Sequence, residues 1–354
     1  MRILRARANT TTVFAMLARQ PSLATSLPVY RFAVCALFAL ACGGGGGGDT
    51  ITTPPGNEPW IQKSSLPGGG LAGAASFVAQ GKIYVGTGFR NGEIWDFYTY
   101  DPAADTWQAL PPFPSAPRSN AIGFAIGSYG YIGLGYNCIG GSLCTFNYFS
   151  DLWRFDPTNF SWTRMADFPG TPRAYATSFV IGDKAYVTGG IHAGDNDLWE
   201  YDPATNAWTK KANYAGRCTG GQTAFSVAGK GYVGLGSTNG LCNDFWRYDP
   251  GANSWTAIAD FPGTARSNAV GYATASAGFV IGGARDPSYP NDIWAYDVAS
   301  NAWSQVATTY AGKGRSQMIS GVVAQRIFIG LGTTSDTGGP ESRFDDFWEY
   351  KPGS

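Results

Sequence analysis

The chain has 354 residues, of which 15% are aromatic, 14% are charged and 49 are glycine. Globular domains carry about 25% charged residues, so few charges beside many aromatics and glycines favour short strands and tight turns over helices. Formal net charge is zero, but residues 1–41 hold five arginines and no acid, which leaves 20 basic against 25 acidic residues after them; no basic stripe for nucleic acid is indicated.

From the N-terminus, Arg31 precedes ten apolar residues, Phe32 to Ala41. That run is shorter than the ~20 residues a bilayer span needs. A positive residue, a short apolar core and small residues before a cut describe a signal peptide over 1–41. Ala39-Leu40-Ala41-Cys42 resembles a bacterial lipobox, with Ala39 where Leu is usual. The resemblance implies lipidation of Cys42 as the mature N-terminus; plain secretion is the alternative, and Met16 is a second candidate start. Six glycines, Gly43 to Gly48, and a Thr/Pro segment make residues 42–59 a flexible linker.

Beyond the linker the sequence repeats. Trp60, Trp107, Trp162, Trp208, Trp255 and Trp303 lie 47, 55, 46, 47 and 48 residues apart. Each interval holds a small-residue apolar stretch and then an aromatic strand ending in glycines, such as Tyr186-Val-Thr-Gly-Gly190. A polar loop follows, then an alternating strand such as Asp197-Leu-Trp-Glu-Tyr-Asp-Pro203, which turns into the next Trp. Alternation at period 2 predicts strands with unlike faces. Asp-Pro predicts a turn, because proline presets φ and aspartate bonds the backbone ahead of it. A unit of this size cannot cover both its faces alone, so neighbours must stack, and the tryptophans are read as packing residues.

This pattern resembles the kelch repeat, over residues 60–354. The resemblance implies an all-β, six-bladed propeller. The last unit lacks an outer strand while Trp60-Ile-Gln-Lys63 is an orphan one, so the N-terminal strand is expected to complete the last blade and close the ring. Gly-x-Gly pieces do not signal a dinucleotide site, since each runs into a loop and another strand rather than a helix.

Four cysteines follow Cys42. An even number in an exported chain reads as disulfides; Cys138–Cys144 and Cys218–Cys242 are the expected pairs, with pairing across blades as the alternative. One histidine, His192, and the cysteine spacing argue against zinc. No cofactor or metal is expected.

In propellers of this type, ligands usually occupy the channel mouth, and an arginine of the innermost strand lines it. By position in the repeat those arginines are Arg118, Arg173, Arg266 and Arg315, with Arg217 displaced by two residues in the fourth unit and Leu71 in the first. Such a ring would suit a carboxylate or sulfate. The alternative is that each arginine bonds a neighbouring blade's carbonyls or an aspartate. Phe146 and Tyr148 in the long loop of the second unit either stack on a sugar or shield the rim. Asp195-Asn-Asp197 is a weak calcium candidate. Two functions follow. One is an exported surface or periplasmic binding module, monomeric, for a protein, carbohydrate or acidic small ligand, touching a membrane only through a lipid anchor. The other is a metal-independent mutarotase-like enzyme on an acidic sugar, as in the periplasmic sialic-acid mutarotase that this chain resembles. Its acid–base candidates are Glu93, Asp195, Asp286 and Glu341. The sequence commits to no catalytic residue.

Overall fold

The computed structural model describes residues 59–140, 144–192, 196–334 and 342–351. The leader, Cys42 and the linker lie outside the described residues, as do Asp195 and Glu341.

Six four-stranded antiparallel sheets form the ring. From the innermost strand outwards, blade 1 is Ala75–Ala79, Lys82–Gly86, Phe97–Asp101 and Thr106–Leu110. Blade 2 is Ile122–Ile126, Tyr129–Gly133, Leu152–Asp156 and Ser161–Arg164. Blade 3 is Ala174–Ile181, Lys184–Ile191, Leu198–Asp202 and Ala207–Lys211. Blade 4 is Thr223–Val227, Lys230–Gly234, Phe245–Asp249 and Ser254–Ala257. Blade 5 is Val270–Ala273, Ala277–Ile281, Ile293–Asp297 and Ala302–Gln305. Blade 6 takes Ile319–Val323, Arg326–Gly330 and Phe347–Tyr350 from the end of the chain and its outermost strand, Trp60–Lys63, from the beginning.

The closing strand pairs Trp60 with Tyr350 and Lys63 with Phe347. Trp60 is buried between Tyr350 and Tyr310, at ring-centre distances of 4.8 and 5.3 Å. Successive strands reverse direction. The loops between second and third strands and those between blades therefore share one face, and the tight turns share the other. Trp60 and Tyr350 are at the tight-turn face.

The repeated tryptophans do what their spacing implies, and more. In blades 1, 3, 4 and 5 the indole N–H donates to a backbone carbonyl of the preceding blade or its exit: Trp107 to Ser64, Trp208 to Ala166, Trp255 to Ala212 and Trp303 to Ala259, at 2.8–3.0 Å. Their rings pack across the same seams, with Trp107 5.2 Å from Phe347 and Trp303 5.0 Å from Phe245. A large buried aromatic removes about 150–250 Å² from water, so these seams hold the main apolar core. The turn before each tryptophan adds a second latch. In blade 3, Asn206 adopts a positive φ of 49°. Its side-chain oxygen accepts from the Tyr201 hydroxyl at 2.9 Å and from the Ala166 amide at 2.9 Å. Asn253 and Asn301 repeat this in blades 4 and 5. Asp105 does so in blade 1, where its partners are Tyr100 and the backbone of Ser64 in the closing strand. Blade 2 has Phe160 at this position, and its Trp162 indole N–H is buried without a partner.

Candidate functional site: the mouth of the central channel

Each innermost strand is entered through one residue with a left-handed backbone: Gly73, Asn120, Tyr175, Gly221, Asn268 and Gln317, with φ between 52° and 63°. They form a belt. The amide of Asn120 donates to the Gly73 carbonyl, Tyr175 to Asn120, Gly221 to Tyr175, Asn268 to Gly221 and Gln317 to Asn268, at 2.8–3.1 Å. These five hydrogen bonds tie successive blades together, from blade 1 round to blade 6, at the top of the channel and satisfy backbone groups that would otherwise face the lumen. Left-handed φ costs an L-residue strain, least for glycine and asparagine. A Cβ added to Gly73 would stand 2.8 Å from Asn120 Oδ1, so glycine there also makes room for the neighbouring amide.

Below the belt lies a cavity of 220 Å³, lined by the innermost strands of blades 1 to 5 and by Gln317 and Met318 at the entry to that of blade 6. A second, of 270 Å³, opens above it between Tyr175, Ile191, Ser237, Ser267, Asn268 and Gln317. Among the described residues, none that lines either cavity is charged. The chemistry offered is amides, hydroxyls and one phenol.

An aromatic wall stands beside Tyr175. The insertion in the second unit folds into a hairpin, Tyr136–Ile139 with Thr145–Tyr148, tied by the Cys138–Cys144 disulfide. It is anchored by paired backbone hydrogen bonds between Tyr136 and Ser119. Tyr136 stacks on Tyr175 at 6.0 Å and an interplanar angle of 22°. Tyr148 stacks on His192 at 4.2 Å. Phe146, 54% exposed, packs edge-on to Tyr136. Burial raises the Tyr148 hydroxyl above its ordinary range, with the Tyr136 hydroxyl adding to the shift; the phenol is a neutral donor and acceptor at neutral pH.

The arginines stand elsewhere. Arg118, Arg173, Arg266 and Arg315 occur at the expected repeat positions but are 0–1% exposed, behind the channel wall. Each donates to the aspartate that opens the third strand of its own blade: Arg118 to Asp151 at 2.5 Å, Arg173 to Asp197 at 2.6 Å, Arg266 to Asp292 at 2.5 Å, and Arg315 to Asp346. Each also donates to two carbonyls, those of Ala116 and Leu134 for Arg118. The charge lies over an aromatic ring, Phe113 at 4.8 Å and Phe149 at 4.0 Å in blade 2. The aspartate's second oxygen accepts from the tryptophan indole two residues on. Burial, the largest single influence, would raise the Asp151 and Asp292 carboxyls, but Arg118 and Arg266, together with the Trp153 and Trp294 indoles and for Asp151 the Ser115 hydroxyl, hold both below the usual carboxylate range. The expected ligand-facing ring is thus a set of intra-blade clamps, tying the start of the first strand to the start of the third. Each arginine bonds an aspartate, and the carbonyls it also meets belong to its own blade, not to a neighbouring one.

Blades 1 and 4 depart from the clamp in informative ways. In blade 1, where Leu71 replaces the arginine, Arg90 comes from the loop and donates to Asp96 at 3.1 Å. In blade 4, Thr219 stands at the arginine position and a disulfide, Cys218–Cys242, joins the two segments. Arg217 has a side chain that is 73% exposed, with Nε 3.9 Å from Asp244; it is the one expected arginine that faces solvent.

Of the acid–base candidates, Glu93 bridges back to Phe89 and Asp286 is exposed beside Pro287. Neither lines the channel cavities. Asp197, suggested for calcium, is taken up by Arg173 and the Trp199 indole, and no cluster of three metal-binding side chains occurs among the described residues. The sequence reading missed the belt. Its signal was the glycine or asparagine two residues past the arginine position in four units.

The KLHDC2/KLHL20/DRC7 Kelch-repeats domain family matches residues 137–265. The N-acetylneuraminate epimerase of Shigella sonnei (strain Ss046) is 34% identical over 114 residues, which is 31% of this chain and 29% of that protein. The protein of the same name from Escherichia coli (strain K12) is 32% identical over 114 residues, with the same coverage. The aligned stretch thus spans less than a third of these relatives' length. The solved structure of YjhT superimposes with a TM-score of 0.68 at 19% identity, covering 80% of this chain and 96% of that one.

Proposed function

Since this chain is a six-bladed kelch-repeat propeller with partial likeness to N-acetylneuraminate epimerases, we propose that it is an exported binding module whose channel mouth takes the end of a neutral glycan. One observation carries this reading: the described lining of the mouth is uncharged, with the Asn268 and Gln317 amides and the Ser237 and Ser267 hydroxyls beside the Tyr136–Tyr175 stack. Ligand sites pair apolar or aromatic surface with a few polar groups that fix orientation. Sugars present this chemistry, with hydroxyls at the edge and C–H bonds on the face. The guanidinium groups that would favour an acid are committed to aspartates. The two disulfides are compatible with an oxidising compartment.

The relatives support a second reading, a mutarotase-like enzyme acting on an acidic sugar. One experiment separates the two. Purified protein is screened on an array carrying neutral and sialylated glycans, hits are titrated by calorimetry, and anomer exchange of each hit is followed by NMR. The binding reading expects neutral hits, no faster exchange, and at least a tenfold loss of affinity in Tyr175→Ala with an unchanged melt. Sialylated hits alone, with accelerated exchange, would establish the enzyme instead. The absence of any glycan hit would turn the search toward a protein partner.

A further inference from the structure

Blade 4 keeps the surroundings of the arginine clamp without the arginine. In blades 2, 3, 5 and 6 the guanidinium meets four groups. These are the aspartate opening the third strand, a carbonyl two residues before the arginine, a carbonyl sixteen residues after it, and an aromatic ring five residues before it. The corresponding chain positions around Thr219 are Asp244, the carbonyls of Arg217 and Leu235, and Tyr214. Each anionic or electron-rich partner is retained.

The aspartate among them is left over. Among the described residues, Asp244 Oδ1 is buried without a hydrogen-bond partner, as are the Tyr214 hydroxyl and both amide atoms of nearby Gln222; the Tyr310 hydroxyl of blade 6 is unpartnered too, so it is the Asp244 oxygen that sets blade 4 apart from the clamped blades. Tyr214 is 1% exposed, Gln222 6% and Asp244 9%. Asp244 Oδ2 is used by the Trp246 indole at 2.9 Å and the Arg217 amide at 3.1 Å. The three are near neighbours. Burial first, and then the Asp244 charge, push the Tyr214 hydroxyl far above its ordinary range, while the Gln222 amide lowers it. The counter-charge near Asp244 is the exposed Arg217, whose Nε lies 3.9 Å from Oδ1, beyond hydrogen-bond reach; a buried carboxylate paired this loosely is destabilised, so a cation that hydrogen-bonds to it gains by entering. Blade 1 makes the comparison, because it also lacks the arginine and yet brings Arg90 to its aspartate. The Thr219 side chain is turned to Thr238, its hydroxyl 3.1 Å from that of Thr238.

We propose that blade 4 contains a subsite for a small planar monocation of the guanidinium type, held by Asp244, Tyr214 and the Arg217 and Leu235 carbonyls, where four other blades hold an arginine of their own. The planar fork of donors matches a carboxylate and adjacent carbonyls together, which a spherical ion or a quaternary ammonium does not. The ligand reaches it beside Arg217, whose exposed side chain marks the solvent side of Asp244.

The test is the melting temperature of the full protein in millimolar guanidinium chloride, against sodium chloride and tetramethylammonium chloride at equal ionic strength, with calorimetric titration of guanidinium alongside. A saturable rise on the order of 1–3 °C, specific to guanidinium and opposite in sign to its denaturing action, is expected. Asp244→Asn should remove it by deleting the charge, and Thr219→Arg by supplying the group covalently. Arg217→Ala should keep or strengthen it. No saturable shift in the wild type, an equal shift with sodium, or a shift that survives in Asp244→Asn or in a folded Thr219→Arg overturns the proposal. So does a guanidinium effect seen only in Arg217→Ala, which would make Arg217 the blade's own cation.

Discussion

Cys218 and Cys242 join covalently, in blade 4, the two segments that blades 2, 3, 5 and 6 join through charge. Their Cα atoms are 6.0 Å apart, and Cys242 stands two residues before Asp244, as Phe149 stands two before Asp151 and Phe344 two before Asp346. The bridge closes a loop with a sequence separation of 24, for which the chain-entropy estimate is about 3 kcal/mol. Replacing both cysteines by serine should lower stability by about that much, read by calorimetric melting without reductant. Serine at Cys138 and Cys144 should leave the melt almost unchanged, because that bridge ties a peripheral hairpin; its effect belongs in ligand binding.

The arginine clamps make the opposite prediction from a ligand-facing ring. Arg118→Ala strands Asp151 in the interior, and breaking such a buried pair costs about 3–5 kcal/mol. Arg173→Ala should behave alike. Arg217→Ala, on an exposed side chain, should change stability by less than ~0.5 kcal/mol. Urea denaturation of the three variants checks this.

Acid should unfold the propeller through the same aspartates. Asp151 and Asp292 have folded-state values below the ordinary range, because burial, the largest single influence, is outweighed by the combined donors, chiefly Arg118 and Arg266. A depressed folded value means that the unfolded chain takes up protons first. Their stabilising contribution is complete above the unfolded value of about 3.9 and is lost as pH falls from there through the folded value. Denaturation midpoints should therefore drop steeply below about pH 4, and Asp151→Asn should be less stable at neutral pH but show a shallower acid slope.

Ring closure concentrates in Trp60. Trp60→Ala removes a buried aromatic from between Tyr310 and Tyr350, at a cost of about 3–5 kcal/mol. Deleting residues 57–66 also strips blade 6 of its outer strand and blade 1 of its latch at Ser64. The melt of the deletion should fall well below that of Trp60→Ala; equal melts would mean that the strand contributes nothing beyond its tryptophan.

The blades were legible because their cause is local and repeated. Period-2 alternation sets the strand faces, Asp-Pro sets the turn, and a constant interval between tryptophans sets the unit. The closing strand followed from a last unit without an outer strand and an orphan outer strand at Trp60, and the disulfides from which cysteines share a unit. The arginines show where this stops. Their repeat position was right, but spacing along a strand does not say whether a long side chain turns into the lumen or back into its sheet. What decides it is Asp151, Asp197, Asp292 and Asp346, which the sequence presents only as the first residue of a strand. The belt was half legible. Gly73, Asn120, Gly221 and Asn268 are types that tolerate positive φ, whereas Tyr175 and Gln317 take that backbone only because the belt of hydrogen bonds imposes it.

Because Trp60 faces Tyr350 and the Lys351 amide bonds the Pro59 carbonyl, both described ends emerge on the underside, remote from the Tyr175 opening. Anything attached directly at residue 59 or residue 351 leaves the opening unobstructed. A sensor chip loaded through these ends presents every copy with its opening toward the flowing solution, whereas random lysine coupling would block a share of them.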